Sequence, residues 1–277
     1  MIKNTSNEQS RNDNFTKKIK TKVCFEKALD NNPWLAKQVY WHGYSQESLI
    51  SNKSYTDVIW LLIRGELPSG EQATCFARLF IMLACPSPRS PQARAVMNAS
   101  IGKTHFEHWL PIGLNVANGS YGGTLEVYEA MRFIQKHIQS NTSPEILARS
   151  KLATPIDEHP GEVIIAPGFG TIYGKLDTHL AGLVDVFSSL CNTPEMLWSK
   201  CFVKTISPHG GWRLAGVVAT ILTALGFNPI QASGIFQMAI MPGLLAYADE
   251  KSGKALTEMP FLDESQYDIK MPFGEVK

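Results

Sequence analysis

The sequence lacks the features that mark several large classes of protein. Its five cysteines include no C-x-x-C pair, and none has a histidine nearby at metal-ligand spacing, so no metal site and no disulfide framework is predicted. It has no uninterrupted run of roughly eighteen apolar residues and no apolar segment at its polar N-terminus. We therefore expect a cytoplasmic protein with free thiols and no membrane span.

Charge of either sign is also scarce. The formal net charge is +1, from 26 basic and 25 acidic residues, and no global field attracts nucleic acid or an anionic membrane. Charged residues make up 18% of the 277 residues and hydrophobic residues 44%, which allows a sizeable core in one domain or in two apposed domains. The expected partner is a small molecule, and its class has to be inferred from a site.

Apolar residues recur mainly at helical spacing. In SYTDVIWLLIRGELP, Ser54 is a candidate N-cap, and Gly65 with Pro68 ends the helix. Further helices are predicted over 177–191 and 213–226, the second of which is apolar on every side and should lie in the core or an oligomer interface. Strand alternation is almost absent, so the predicted fold class is all-α.

Four segments in collinear order resemble the signature stretches of citrate synthase and of the shorter citryl-CoA lyase. Residues 42–72 resemble the family's opening R/H-G-Y, helix and G-E-L-P turn, and GSYGGTLEVYEAM, residues 119–131, resembles H-G-G-A-x-E. PGFGTIYGKLD, residues 167–177, resembles the P-G-F-G-H-R-x-x-K-x-x-D-P-R loop. The segments 213–229 and 241–251 resemble the N-V-D-G helix and the R-x-P-G-L stretch.

The resemblance to the citrate synthase superfamily implies an all-helical homodimer with a large and a small domain. We assign 23–125 and 213–277 to the large domain and 126–212 to the small one, after a flexible tail, 1–22. In the family, the active site lies between the domains and binds an acyl-CoA. An aspartate moves the proton next to the thioester, and two histidines polarise the carbonyls during carbon–carbon bond formation or cleavage.

Most of the residues that the family uses are replaced. Tyr121 and Thr171 stand in place of the two histidines, and Ala215 stands in place of the aspartate. Ile240 replaces the carboxylate-binding arginine, and Tyr247 replaces the histidine that follows it. Because the positive charges that hold a tricarboxylate are lost, citrate is not the expected substrate.

Polar groups stand at or near the emptied positions and form the candidate catalytic set. A tyrosine hydroxyl can donate to an enolate oxygen, and a neighbouring arginine is expected to raise its acidity. The alternative is that the pocket was refilled by aromatic packing and that its histidine is structural. The candidates are Tyr121, Tyr173, His42, Arg213, Thr171 and Tyr247.

The loop that wraps the adenine of coenzyme A in the family is retained, and the resemblance implies coenzyme A as substrate or ligand. The candidate cofactor contacts are Pro167, Gly168, Phe169, Gly170 and Lys175. Turn geometry explains these glycines equally well. A valine at Gly170 is expected to abolish coenzyme A binding without unfolding the chain.

Two hypotheses fit these observations. The first is a lyase or acyltransferase with a remodelled site, acting on an acyl-CoA, another thioester or a small β-keto acid. The second is a catalytically inactive homologue, a pseudoenzyme that binds a nucleotide or regulates an active partner. Hydroxyl groups at three emptied positions favour the first.

Overall fold

The computed structural model describes residues 16, 18–154, 158–159, 162–260 and 262–266, so most of the predicted tail lies outside the described residues. The chain separates into two compact units, 1–69 and 70–277. These bounds differ from those of the predicted large domain, 23–125 with 213–277, and of the predicted small domain, 126–212. The division into a large and a small domain stays a prediction.

The first unit combines a small sheet with two helices. Strands β1 (Cys24–Leu29) and β2 (Asn32–Trp41) form an antiparallel hairpin, and the short β3 (Tyr44–Ser45) pairs with β2. Helices α1 (Gln46–Asn52) and α2 (Tyr55–Arg64) follow. This sheet was not predicted, because β1 and β2 are largely exposed and their sequences show no apolar alternation.

The predicted ends of α2 are confirmed in detail. The Ser54 hydroxyl accepts the Asp57 amide at 3.1 Å, and the Asp57 carboxylate accepts the Ser54 amide at 3.0 Å, which forms a capping box. Gly65 ends the helix in the left-handed conformation, with φ 81°. The helix is therefore specified by its own sequence.

The second unit contains nine α-helices and a four-stranded antiparallel sheet among its described residues. The strands pair in chain order, β4 (Glu158–His159), β5 (Glu162–Ala166), β6 (Phe169–Ile172) and β7 (Gly211–Trp212). The helices are α3 (Gly70–Leu83), α4 (Pro91–Ile101), α5 (Trp109–Val116), α6 (Thr124–Gln139), α7 (Pro144–Ala153), α8 (Thr178–Leu190), α9 (Pro194–Ile206), α10 (Leu214–Ala224) and α11 (Pro229–Lys251).

Helices α10 and α11 form the centre of the second unit. Helix α10 packs against α6 and α9, and α11 packs against α6, α4 and α5. Among the described residues, α11 is the one helix whose length and composition would allow it to cross a membrane. Its Ile235, Phe236 and Leu244 side chains are nevertheless at most 1% exposed inside the unit. The prediction of a mainly helical fold is confirmed.

A proline interrupts the backbone bonding of α11. Pro242 lies inside the helix, and the next residue, Gly243, donates its amide to the carbonyl of Ala84 at 2.7 Å. A Cβ at Gly243 would come within 2.6 Å of the Cα of Cys85, so glycine permits the close approach. The segment between α3 and α4 is thereby fastened to the middle of α11.

Candidate functional site

The Arg213 side chain is the centre of the most polar buried arrangement in the second unit. It is 2% exposed, and its Nε donates to Glu126 Oε1 at 2.5 Å. Its Nη1 donates to Glu162 Oε1 at 2.6 Å and to the Thr171 carbonyl at 3.3 Å. Two carboxylates therefore offset one guanidinium charge. Burial alone would lower the pKa of Arg213, but the bonds to Glu126 and Glu162 raise it.

Four separate elements bring these groups together. Glu126 lies in the first turn of α6, where its Oε2 accepts the Gly122 amide at 2.7 Å. Glu162 begins β5, Thr171 lies in the neighbouring β6, and Arg213 precedes α10. We call Arg213, Glu126, Glu162, Tyr121 and Thr171 the Arg213 cluster.

The Tyr121 ring lies over the guanidinium, with 5.4 Å between the ring centroid and Arg213 Cζ, and the residue is 44% exposed. Burial and the charge of Glu162 raise the pKa of Tyr121, and together they outweigh the lowering by Arg213. Arg213 acts in the expected direction and lowers the pKa of Tyr121, but burial and then Glu162 outweigh it, so the net pKa is raised and the tyrosine is not made more acidic. The hydroxyl keeps its proton at neutral pH and is a donor.

Thr171 and Tyr173 differ in their access to solvent. Thr171 is 7% exposed, and its hydroxyl oxygen is buried without a hydrogen-bond partner among the described residues. Tyr173, just after β6, is 77% exposed with φ 56°, and its charge contributes to the raised pKa of Tyr121. The structure thus brings Tyr121, Thr171, Tyr173 and Arg213 together.

Tyr247 belongs to a different arrangement on α11. Its hydroxyl donates to the Pro86 carbonyl at 2.9 Å and accepts from the Cys85 thiol at 3.5 Å. Burial, followed by the hydrogen bond with Cys85, raises the pKa of Tyr247 to about 12. These bonds hold the segment between α3 and α4 against α11.

Tyr247→Phe is expected to lower stability only below the pH at which the phenol ionises. The raised folded-state pKa means that the stabilisation is complete below the ordinary value of 10.0 and is lost as the pH rises through about 12. Unfolding free energies measured against pH should show an advantage of about 0.5–1.5 kcal/mol for the unmodified chain, decreasing across that window. A pH-independent difference would contradict this account.

His42 lies in the first unit and is described by itself. Its φ is 48°, its amide donates to the Val23 carbonyl at 3.0 Å, and its Nε2 is buried without a hydrogen-bond partner among the described residues. A Cβ added to Gly65 would lie 3.4 Å from its Nδ1. A catalytic role for His42 stays a prediction.

In the P-G-F-G segment, Pro167 and Gly168 form the turn of the β5–β6 hairpin, and Phe169 and Gly170 begin β6. Pro167 is half-buried, whereas Gly168, Phe169 and Gly170 are buried. Phe169 is 0% exposed and packs in an aromatic group with Phe133, Phe202 and Trp212. Three of the five residues predicted to contact coenzyme A are thus covered by protein.

Close packing accounts for both glycines of the P-G-F-G segment. A Cβ at Gly168 would lie 2.7 Å from the Cα of Gly216 in α10, and the Gly168 carbonyl accepts the Arg213 amide at 3.1 Å. A Cβ at Gly170 would overlap the Val163 carbonyl oxygen of the paired strand. The expectation that Gly170→Val leaves the chain folded is therefore contradicted.

The retained residues after the turn are more accessible. Lys175 is exposed, whereas Asp177 caps α8 by accepting the Leu180 amide at 3.0 Å.

In the part of the chain that the structure describes, no group of three or more histidine, cysteine, aspartate or glutamate residues could hold a metal ion.

Sequence reasoning missed the two carboxylates of the Arg213 cluster. The sequence did mark Glu126, because it stands at the glutamate of the H-G-G-A-x-E stretch that residues 119–131 resemble. Nothing in the sequence marked Glu162, because no local pattern relates it to Arg213, which lies 51 residues later.

The described fold is that of citrate synthase-like proteins. It is shared with citryl-CoA lyase from Hydrogenobacter thermophilus, which is 23% identical, with a TM-score of 0.74 over 94% of this chain and 97% of that chain. The ATP citrate lyase of Methanothrix soehngenii, solved with citrate and coenzyme A, is 14% identical, with a TM-score of 0.67. This chain covers 43% of that enzyme and is matched over 92% of its own length.

The citrate synthase of Thermoplasma acidophilum, solved with carboxymethyl coenzyme A and oxaloacetate, is 13% identical, with a TM-score of 0.59 over 81% of this chain and 59% of that chain. No family model matches the sequence, and no curated protein matches it. At these identities the likeness shows the fold, which confirms the helical citrate synthase-like architecture predicted from the four segments.

Proposed function

We propose that the chain is an enzyme that forms or cleaves a carbon–carbon bond in an acyl-CoA, another thioester or a small β-keto acid, and that it is not a citrate synthase. The observation that carries the proposal is Tyr121, a half-exposed phenol whose ring lies over a buried arginine. The shared fold supports the general reaction class. Tyr121 and Tyr173 would meet the substrate, while Arg213 and Thr171 position them.

The chemistry of the cluster favours enolate stabilisation over proton abstraction. A phenol that keeps its proton donates a hydrogen bond to an oxygen on which negative charge develops. Cleavage of a β-keto acid leaves an enolate and carbon dioxide, so no base has to remove a carbon-bound proton first. This reaction suits a site with Ala215 where the family has its base.

Coenzyme A is proposed as the ligand of a thioester substrate. Among the five candidate contacts, exposed Lys175 and half-buried Pro167 are the ones able to meet a nucleotide, and an ammonium group suits a phosphate. A homodimer in the cytoplasm remains part of the proposal, as do the roles of His42 and Tyr247.

An inactive homologue with a binding or regulatory role is the second proposal. The favouring observation is that Glu126 and Glu162 both engage Arg213, which leaves that guanidinium no free charge for an anionic substrate. Turnover of any acyl-CoA, thioester or β-keto acid decides between the two proposals.

The purified chain is expected to show no condensation of acetyl-CoA with oxaloacetate and no cleavage of citryl-CoA. On any substrate that a panel of thioesters and β-keto acids identifies, Tyr121→Phe should lower kcat about 10²–10⁴-fold, because one donor to the enolate is lost. Tyr128→Phe is the matched control, since Tyr128 contacts Arg132 outside the cluster. Robust citrate synthase activity would refute the proposal, and full activity of the Tyr121→Phe variant would indicate His42 or His209 as the catalytic residue in its place.

A further inference from the structure

The second unit contains a cavity of about 320 Å³ that shares no residue with the Arg213 cluster. It lies among α3, α4, α8, α10 and α11, beside the segment that Tyr247 and Gly243 fasten to α11. The volume is at the lower end of the range of small-molecule sites, roughly 300–1,000 Å³. Its lining includes Leu83, Cys85, Gln92, His179, Leu214 and Ile240.

The lining carries no Lys, Arg, Asp or Glu side chain. Most of the wall is aliphatic or aromatic, and Leu83 and Ile240 are at most 3% exposed. Moving a carboxylate or phosphate from water into such surroundings without a cationic partner is strongly unfavourable. His179, which is exposed, is the one side chain of the lining that can carry a positive charge, and the rest of the wall favours a neutral group.

Gln92 supplies a polar anchor in this apolar wall. It lines the cavity from the first turn of α4 and is 5% exposed. Its amide offers two donors and one acceptor to a group that enters the cavity. A carbonyl, hydroxyl or amide group of a bound molecule would satisfy them.

We infer that this cavity binds a neutral, mainly aliphatic group with one carbonyl or amide function, which Gln92 holds by hydrogen bonding. The group corresponds to a short or branched aliphatic chain whose carbonyl or amide is separate from the carbonyl that reacts. The bound group is the non-reacting end of the substrate, and this identification rests on the proposed function. Occupancy of the cavity is testable without turnover.

The test compares two probes of equal shape, isovaleramide and the isovalerate anion. Cys85 is exposed and lines the cavity, so an occupant should slow its alkylation by N-ethylmaleimide, followed by peptide mass spectrometry. The expected result is protection of Cys85 by isovaleramide and none by isovalerate. Cys24, an exposed thiol in the first unit, serves as the internal control and should react unchanged.

Two variants test the binding mode. Gln92→Leu keeps the volume of the side chain and removes the anchor, and it should weaken isovaleramide binding about threefold to tenfold. Leu183→Phe fills part of the cavity from a partly exposed position of α8 and should remove the protection while the helical circular dichroism is retained.

Equal protection by both probes, protection by neither, or unchanged binding in a folded Gln92→Leu variant would overturn the inference. Protection by isovaleramide in a chain that turns over no thioester or β-keto acid would support the cavity and count against the proposed enzyme. Turnover of such a substrate by a chain that binds no neutral probe would support the proposed enzyme and overturn the inference about the cavity.

Discussion

An Arg213→Met variant is expected to lose about 3–5 kcal/mol of unfolding free energy, measured by urea denaturation at neutral pH. The side chains of Glu126 and Glu162 are only 10% and 12% exposed, and both depend on this guanidinium for charge compensation. Without it, two carboxylates remain close together in a poorly hydrated site. The loss therefore exceeds that of an ordinary surface ion pair, about 0–1 kcal/mol.

Two further variants separate charge compensation from packing. Adding Glu126→Gln and Glu162→Gln to Arg213→Met should recover part of the loss, because no uncompensated charge is left. Arg132→Met is the matched control, since Arg132 is exposed and lies 3.8 Å from Glu129. A loss in Arg213→Met no larger than in the Arg132 control would contradict a central role for the cluster.

Gly170→Ala is expected to destabilise the chain by more than about 4 kcal/mol, or to prevent folding. The added Cβ would overlap the Val163 carbonyl, so the β5–β6 pairing would have to open. Thermal unfolding and the yield of folded protein measure the effect. Gly182→Ala is the control: nothing lies within 4 Å of its Cβ position in α8, and the change should stabilise by about 0.5–1 kcal/mol.

If Gly170→Ala is as stable as the unmodified chain, the hairpin packing described above is wrong. If it unfolds, a Gly170 variant cannot report on coenzyme A. Lys175→Ala is then the appropriate test of nucleotide binding, because Lys175 is exposed and its removal leaves the hairpin intact.

The helices were predictable because local chemistry specifies them. The capping box of α2 lies within four residues, Gly65 ends that helix, and Asp177 begins α8 at the predicted position. The continuous apolar character of α10 likewise indicated its burial, and Val218 and Ile221 are 0% exposed.

The sheets and the polar contacts were not predictable in the same way. The strands of the first unit expose both faces, which removes the alternation that marks a half-buried strand. The segment 167–170 contains two glycines, of which Gly168 meets α10 and Gly170 meets the paired strand β5, whereas its sequence alone is that of a glycine-rich loop. The Arg213 contacts span 87 and 51 residues and depend on the tertiary fold.

The contact between Gly243 and Ala84 has a consequence for hydrogen exchange. Within an uninterrupted helix, an amide proton is protected by the carbonyl one turn earlier, and its exchange reports on the opening of that helix. The Gly243 amide donates outside the helix, to a carbonyl of the segment that borders the cavity. Its exchange therefore requires that this segment leave α11, and not only that the helix open.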